Sequence, residues 1–231
     1  MEVIITIATD QLLPLLRLFQ LVSPSLPVGA YSFSQGLEWA VEEQLINDKV
    51  TAQQWIGDVM QHSLIKLDCP ILVRLYQAWG SNDVAAISHW NAVILASRET
   101  SELQTEDQHV GLALGKVLDG LGVEWQQRWG NSDVAFVTPY SLVASEWNIP
   151  VTMAITGYLW GWLENQVLGA IKLVPLGQLA GQVILFELAK AIPNYVQQIM
   201  HMQDQEIGGS LPMFAIASSR HETQYTRLFR S

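Results

Sequence analysis

The chain has little charge and almost no sulfur that could cross-link it. Only 15% of its 231 residues are charged, and Cys69 is the single cysteine. A disulfide framework within the chain is therefore excluded. Basic residues are the scarcer sign, with 12 Lys and Arg against 22 Asp and Glu and a formal net charge of −10. General nucleic-acid binding needs a basic footprint, so this charge balance excludes that class of function.

Long uncharged apolar runs are also missing. The cleanest run in the second half of the chain, residues 147–163, has 17 residues and contains Asn148 and Pro150. A membrane span needs about 20 apolar residues, and no N-terminal segment resembles a signal peptide. We expect a cytoplasmic protein that does not bind membranes. A helical membrane-associated interaction protein, suggested by the low charge, stays open as the alternative from another class.

What the chain does have is a large share of apolar residues, many of them at helical spacing. Hydrophobic residues make up 49% of the sequence and include nine tryptophans, so a disordered chain is excluded. Period-two alternation does not recur, and only residues 3–7 resemble a strand. We predict an all-α fold, a single compact domain of about eight to ten helices over residues 1–231. Residues 1–9 are expected to be a loose N-terminal segment.

Two spacings resemble capping boxes and predict where helices begin. Ser32 is followed by Gln35, and Thr51 is followed by Gln54. In a capping box the first side chain accepts from the backbone three residues later, and the second reaches back to the first. The sequence therefore predicts helices that open at Ser32 and at Thr51.

Small residues recur at a four-residue step, which places each pair on one helix face and permits a close approach by another backbone. The pairs are Gly111 with Gly115, Gly157 with Gly161, and Gly177 with Gly181. Two interpretations stay open for these faces. They pack inside the chain, or a face such as the second pair supports a subunit interface.

Catalytic and metal-binding patterns are not evident. The segment GLALGK at residues 111–116 is one residue short of a phosphate-binding loop and lacks the following Ser or Thr. Cys69 is expected to be a small buried hydrophobe, and the five histidines do not pair at ligand spacing. We expect no enzyme, although a metal-dependent hydrolase stays as a second alternative. An acidic, solvated face is expected from Glu99, Glu102, Glu106 and Asp107.

Both ends of the chain carry features that a simple helix connection does not require. Residues 27–38, PVGAYSFSQGLE, mix turn residues, aromatics and hydroxyls. The segment 220–231, which we call the C-terminal tail, has three arginines against one glutamate, so the rest of the chain carries −12. Arginine and aromatic residues concentrate binding energy at interfaces. Either the tail folds back onto its own acidic body, or it is a docking segment for a partner.

Four segments, in order along nearly the whole chain, resemble the urease accessory protein UreF family. They read LPVGAYSFSQGLE at residues 26–38, RETSEL at 98–103, KLVPLGQ at 172–178 and HETQYTRLFRS at 221–231. Any one of these segments is a weak signal, whereas the four together are specific.

This resemblance implies an all-helical homodimer that acts in nickel insertion into urease and is not itself an enzyme. It implies a scaffold that bridges UreD, also called UreH, and the GTPase UreG on the urease apoprotein, and that regulates GTP-dependent nickel delivery. It also implies that nickel is handled by the complex, with no cofactor bound directly by this chain.

The resemblance also implies roles for particular residues. Tyr31 and Arg227 match family positions linked to GTPase recruitment, and the C-terminal tail resembles the segment that is ordered on binding UreD. The predicted partner-binding residues are Tyr31, Ser32, Gln35, Glu38, Arg220, His221, Glu222, Tyr225, Arg227, Leu228, Phe229 and Arg230.

Overall fold

Helices account for the regular structure of the chain. The structure, a computed structural model, describes residues 9–130 and 133–230. The α-helices are α1 Thr9–Val22, α2 Leu37–Glu42, α3 Lys49–Val59, α4 Asp68–Ser81, α5 Val84–Ala96, α6 Ser101–Gly120, α7 Trp125–Arg128, α8 Val137–Glu146, α9 Val151–Leu173, α10 Gln178–Ala189, α11 Ile192–His201 and α12 Pro212–His221. Two 3₁₀ turns, Ala30–Ser32 and Asp204–Glu206, and one π-helical turn, Met60–Leu64, complete the set.

The all-α prediction is confirmed, because the described residues contain no strand. They contain twelve α-helices, more than the expected eight to ten. The excess comes from α2 and α7, which have six and four residues and are too short to produce a periodic apolar pattern. The loose segment expected at 1–9 and the strand-like residues 3–7 lie outside the described residues, except Thr9, where α1 begins.

The core is built around α4 and α8, which pack against each other. Every residue of α8 from Val137 to Ala144 is buried, and α4 buries both of its sides. The indole of Trp79 on α4 donates to the carbonyl oxygen of Thr138 at 3.1 Å. Burial of this many side chains supplies the main stabilisation of the fold, at roughly 25 cal/mol per Å² of apolar surface.

Asn91, buried on α5, ties that helix to the chain that leads into α8. Its amide nitrogen donates to the carbonyl oxygen of Asp133 at 2.9 Å. Its amide oxygen accepts from the backbone nitrogen of Ala135 at 3.0 Å and from the hydroxyl of Thr138 at 2.7 Å. Because both ends of the amide are hydrogen-bonded, these bonds offset the cost of removing a polar side chain from water.

The long helix α9 forms a second layer, and α1, α10, α11 and α2 pack on it. In the described part of the chain, no helix is long and apolar enough to cross a membrane. The uncharged run 147–163 is not one continuous helix, because Trp147 is the C-cap of α8 and α9 begins only at Val151, after Pro150. Asn148 between them has a left-handed backbone conformation, with φ 53°.

Both predicted capping boxes are wrong. Ser32 ends a 3₁₀ turn and its hydroxyl donates back to the carbonyl oxygen of Gly29 at 2.7 Å. Gln35 has φ 55°, so no helix continues through it, and α2 begins at Leu37 instead. Before α3 the true cap is Asp48, whose carboxylate accepts from the backbone nitrogen of Thr51 at 2.8 Å.

The glycine pairs mostly serve packing inside the chain, the first of the two interpretations. A Cβ at Gly157 would meet Leu18 and Val22 of α1, and a Cβ at Gly161 would meet Val22. In the same way Gly111 faces the backbone at residues 134–136, and Gly115 faces the Trp125 ring. The pairing of Gly177 with Gly181 is wrong, because the former lies before α10 as its N-cap.

Gly36 is the glycine that the site depends on. Its φ is 78°, and a Cβ there would lie 2.7 Å from the backbone nitrogen of Ser218 and 2.9 Å from the carbonyl carbon of Ala217. The chain before α2 therefore passes directly beneath the backbone of α12.

We predict that Gly36→Ala lowers the free energy of unfolding by about 2–4 kcal/mol, because left-handed strain adds to a clash with α12. Gly29→Ala is the matched control, since Gly29 has φ 79° but no atom within 4 Å of its Cβ position. It should lose only the strain, about 1–2 kcal/mol. Denaturant unfolding measures both, and equal losses would show that contact with α12 is unimportant.

Candidate partner-binding site

The C-terminal tail folds back onto the body of the chain. The backbone nitrogens of Leu228 and Phe229 donate to the Glu38 carboxylate at 2.6 and 2.9 Å. The backbone nitrogen of Arg230 donates to the carbonyl oxygen of Ser32 at 2.8 Å. Of the two alternatives for the tail, the structure shows the one in which it covers its own acidic body.

Glu38 is the acceptor that holds this arrangement together. It lies in the first turn of α2 and is only 8% exposed. One oxygen accepts from Leu228, and the other faces both Phe229 and a ring nitrogen of His221. A buried carboxylate is tolerated when donors replace its water, and these contacts do so.

His221 lies between two carboxylates and has no exposed surface. Its Nδ1 is 2.9 Å from Glu102 Oε2, and its Nε2 is 3.2 Å from Glu38 Oε2. The other oxygen of Glu102 accepts from Arg227 at 2.9 Å. Burial raises the pKa of the Glu102 carboxyl, while the contacts with His221 and Arg227 oppose that rise. We call these four residues, Glu38, Glu102, His221 and Arg227, the tail cluster.

Glu222 joins the end of α12 to the beginning of α6. Its Oε1 accepts from the Ser101 hydroxyl at 2.7 Å and from the backbone nitrogen of Glu102 at 3.2 Å. A carboxylate at a helix N-terminus satisfies free N–H groups and is favoured by the helix dipole. Nearby, the hydroxyls of Thr100 and Ser218 are 2.7 Å apart.

The loop that carries Tyr31 is fixed to α9 and α6 by side-chain amides. Gln35 donates to Glu106 Oε1 at 2.8 Å and accepts from the Trp162 indole at 2.8 Å. Asn165 on α9 donates to the carbonyl oxygen of Ala30 at 3.1 Å. Tyr31 itself is 61% exposed on this anchored loop.

The solvated acidic face expected on α6 is a wrong prediction for most of its residues. Glu99 is exposed, but Glu106 and Asp107 are buried and Glu102 is partly buried. The sequence spacing does indicate that Glu106 and Asp107 face inward, because they share a helix face with Leu103 and Val110, which are also buried. Asp107 pairs with Arg98, nine residues before it, but the partners of Glu102 and Glu106 come from distant segments, which single-segment patterns do not reveal.

Arg98 is a largely buried cation, with 14% of its side chain exposed, that no helical or charge pattern in the sequence marks. It donates to Asp107 at 2.8 Å and makes two hydrogen bonds to Asp68, at 2.7 and 3.2 Å. The Tyr158 hydroxyl also donates to Asp68, at 2.9 Å. Burial opposes the charge on Arg98, but Asp107 and Asp68 outweigh it and raise its pKa. This cluster joins α4, α6 and α9 beneath the loop.

A cavity of about 170 Å³ lies between the loop after α1 and these helices. Apolar residues of the loop and of α9 line it together with the charged residues Arg98, Asp107 and Glu106. Sites for drug-sized ligands and cofactors are usually larger, about 300–1,000 Å³. The space suits a few water molecules or one side chain.

The predicted partner-binding residues divide into two groups by exposure. Those exposed to solvent form what we call the tail surface: Tyr31, Arg220, Tyr225, Arg227, Leu228 and Arg230. The others contact this chain's own residues through their side chains or are buried: Ser32, Gln35, Glu38, His221, Glu222 and Phe229.

No group of three or more His, Cys, Asp or Glu within residues 9–130 and 133–230 is arranged to hold a metal ion. Cys69 is fully buried, as expected, and burial raises the pKa of its thiol. Next to α11, Met202 is buried while His201 is exposed, so these soft donors do not converge.

Comparison with known proteins points to one family. The protein-family model described as UreF matches residues 46–189. A urease accessory protein UreF from Alkalilimnicola ehrlichii is 47% identical and covers 93% of this chain and 95% of its own length. A protein of the same name from an Azoarcus species is 48% identical, with 95% and 97% covered. A third, from Hahella chejuensis, is 44% identical, with 95% and 99% covered.

We predict that Glu38→Gln releases the tail, because an amide cannot accept all the hydrogen bonds that this carboxylate accepts. Hydrogen bonds to a charged group contribute about 1.5–3 kcal/mol, so tryptic cleavage after Arg227 should rise at least about tenfold. Glu42→Gln removes an exposed carboxylate from the same helix and is the control. Unchanged cleavage in the Glu38 variant would contradict the anchoring role.

We predict that Arg98→Met destabilises the fold by about 3–5 kcal/mol, because it leaves Asp68 and Asp107 buried without their cation. The deficit should shrink as pH falls, since protonation neutralises these carboxyls. Arg128→Met removes a largely exposed ion pair with Glu146 and should cost at most about 1 kcal/mol. Thermal unfolding at several pH values measures both, and equal losses would contradict a special role for the buried pair.

Proposed function

Because the chain belongs to the UreF family of urease accessory proteins, we propose that it is a scaffold in the maturation of urease. In this proposal it bridges UreD, also called UreH, and the GTPase UreG on the urease apoprotein. It regulates GTP-dependent delivery of nickel. Nickel is cargo of the assembled complex, and the chain itself holds no cofactor and catalyses no reaction.

The observation that carries the proposal is the contact between the two ends of the chain. Arg230 is hydrogen-bonded to Ser32, and Leu228 and Phe229 are hydrogen-bonded to Glu38, across about 190 residues of sequence. These contacts combine the loop and the tail into one continuous surface. Such a surface supports a single docking site better than two separate weak ones.

The tail surface has the composition of a binding site. Tyr225 is fully exposed, and Tyr31 and Leu228 are 61% and 67% exposed. Arginines lie beside them, and Arg with Tyr is the combination enriched where binding energy concentrates. We assign Tyr31 and Arg227 to contact with the GTPase, and the remainder of the tail to contact with UreD.

Apolar residues elsewhere are available for pairing with a second copy of the chain. On α10, Leu179 and Phe186 are 78% and 67% exposed and lie two turns apart on one face. On α1 the exposed residues are Leu12, Leu13, Leu16 and Phe19. Exposed apolar faces of this kind mark interaction sites, which supports a homodimer. The mass of the chain in solution tests the pairing.

The low charge of the chain is consistent with this assignment. A scaffold with several partners buries much of its outer surface in the complex, and charged residues are depleted at the centres of interfaces. We place the assembly in the cytoplasm. The formal charge of −10 is then divided between an acidic body and the arginine-bearing tail surface.

We predict that Arg227→Ala weakens capture of the GTPase UreG by about tenfold or more, since an interfacial arginine anchor is worth about 2 kcal/mol. Co-purification of UreG with the variant measures the loss. Because Arg227 pairs with Glu102 near the surface, the thermal midpoint should change little.

Arg128→Ala is the matched control, because Arg128 also forms a partly exposed ion pair, with Glu146, far along the sequence from the tail. It should retain UreG fully. If the Arg227 variant captures UreG as well as the parent chain does, the assignment of this residue is wrong.

The scaffold role is tested by urease activation in a host that lacks this chain. Nickel-dependent urease activity should be absent without the chain and restored when the chain is supplied. Full activation in its absence would reject the proposed function, whatever the behaviour of single variants.

A further inference from the structure

We propose that docking of the C-terminal tail takes up one proton, so that the tail cluster is a pH-sensitive latch that opens as pH rises. The inference concerns the isolated chain and does not depend on the proposed function. It follows from the number of donors and acceptors around His221, and from the charges that face this residue.

A neutral imidazole cannot satisfy both contacts of His221. It has one N–H donor and one acceptor nitrogen, whereas both of its neighbours are carboxylate oxygens, which accept. The distances are 2.9 Å to Glu102 and 3.2 Å to Glu38. Without an additional proton, one nitrogen lone pair would face a carboxylate lone pair in a site that excludes water.

The additional proton lies between His221 and Glu102. Glu38 accepts from two backbone N–H groups as well as from the ring, so it acts as an ionised acceptor. The proton therefore rests on the imidazole, or on the oxygen of Glu102 that faces it. Burial raises the pKa of the Glu102 carboxyl, which acts in the same direction. Either placement makes every contact a donor–acceptor pair.

The surrounding charges also favour a bound proton. Three carboxylates face or adjoin His221, from α2, from α6 and from the end of α12, and the guanidinium of Arg227 pairs with one of them: Glu38, Glu102, Glu222 and Arg227. Further out, Arg230 and His109 line a pocket beside Glu102 and Glu106. The group carries −2 without the proton and −1 with it. Arg220 is exposed on the outer side of α12, and Glu106 is one turn further along α6, where it contacts Gln35.

The direction of the pH effect follows from the proton count. When the tail is released together with the end of α12, His221 reaches water, and a solvated imidazole or glutamate does not carry the additional proton at about pH 7 and above. The docked state then holds one more proton than the released state. Rising pH therefore disfavours docking: the ratio of released to docked tail increases by up to about tenfold per pH unit, until the docked state also loses its proton.

Tryptic cleavage after Arg227 reports the population of released tail. The nitrogen of the scissile bond is that of Leu228, which donates to Glu38 when the tail is docked. The cleavage rate of the chain is divided by that of a free peptide of residues 220–231 at the same pH, which cancels the protease's own pH dependence. We call this ratio the normalised rate. In the full-length parent chain this normalised rate should be far below one at pH 7. It should rise with pH between pH 7 and 9, by at most about tenfold per unit.

Glu102→Gln is the decisive variant. The glutamine can donate from its amide nitrogen to a neutral His221 and accept at its oxygen from Arg227, so no additional proton is needed. Its tail should stay docked, with a low normalised rate that does not change with pH. Glu99→Gln removes the same charge from an exposed neighbour bonded to Ser210, and should keep the parent's pH dependence.

Four outcomes would overturn the proposal. Two concern the parent chain: a normalised rate that does not change with pH, and a normalised rate near one at pH 7. The other two concern Glu102→Gln: a normalised rate that rises with pH as steeply as in the parent chain, and a tail that is released at every pH. Loss of the slope in Glu99→Gln would also overturn it, because that result would indicate a general charge effect.

Discussion

The rest of the site depends on one buried carboxylate, that of Glu38. It binds the tail through backbone N–H groups, which every residue except proline possesses, and not through the side chains of Leu228 and Phe229. The position of the tail is therefore set by the main chain. The side chain of Leu228 takes no part in this anchoring and faces solvent, where it can contact a partner. The side chain of Phe229 is buried beneath Lys172.

The structure contains two ionic clusters with different designs. Around Arg98, two aspartates, a tyrosine hydroxyl and the backbone at Phe136 saturate one another within the core. The tail cluster instead lies at the edge, where Arg227 keeps 39% of its side chain exposed. Breaking the first requires opening three helices, whereas breaking the second moves only the end of α12 and the tail that follows it. The first cluster suits a fixed scaffold, and the second suits a movable part.

Sequence patterns predicted the parts of the molecule that short-range physics determines. The all-α class followed from the apolar residues at helical spacing, and the described residues contain no strand. The capping box at Ser32 failed because α12, nearly two hundred residues later, imposes a tight turn at Gly36. The inward carboxylates of α6 were misjudged for the same reason, since His221 and Arg98 lie on other segments.

The hydrogen bonds between residue 38 and the tail have a consequence for synthesis of the protein. A growing chain makes residue 38 about 190 residues before it makes residue 228. At about 5–20 residues per second the ribosome needs roughly ten to forty seconds to cover that interval. During this time the carboxylate of Glu38 has no tail to bind, and for most of it only Tyr31 of the tail surface has been made. Under the proposed function, recruitment through the complete tail surface is therefore restricted to chains elongated through residue 230.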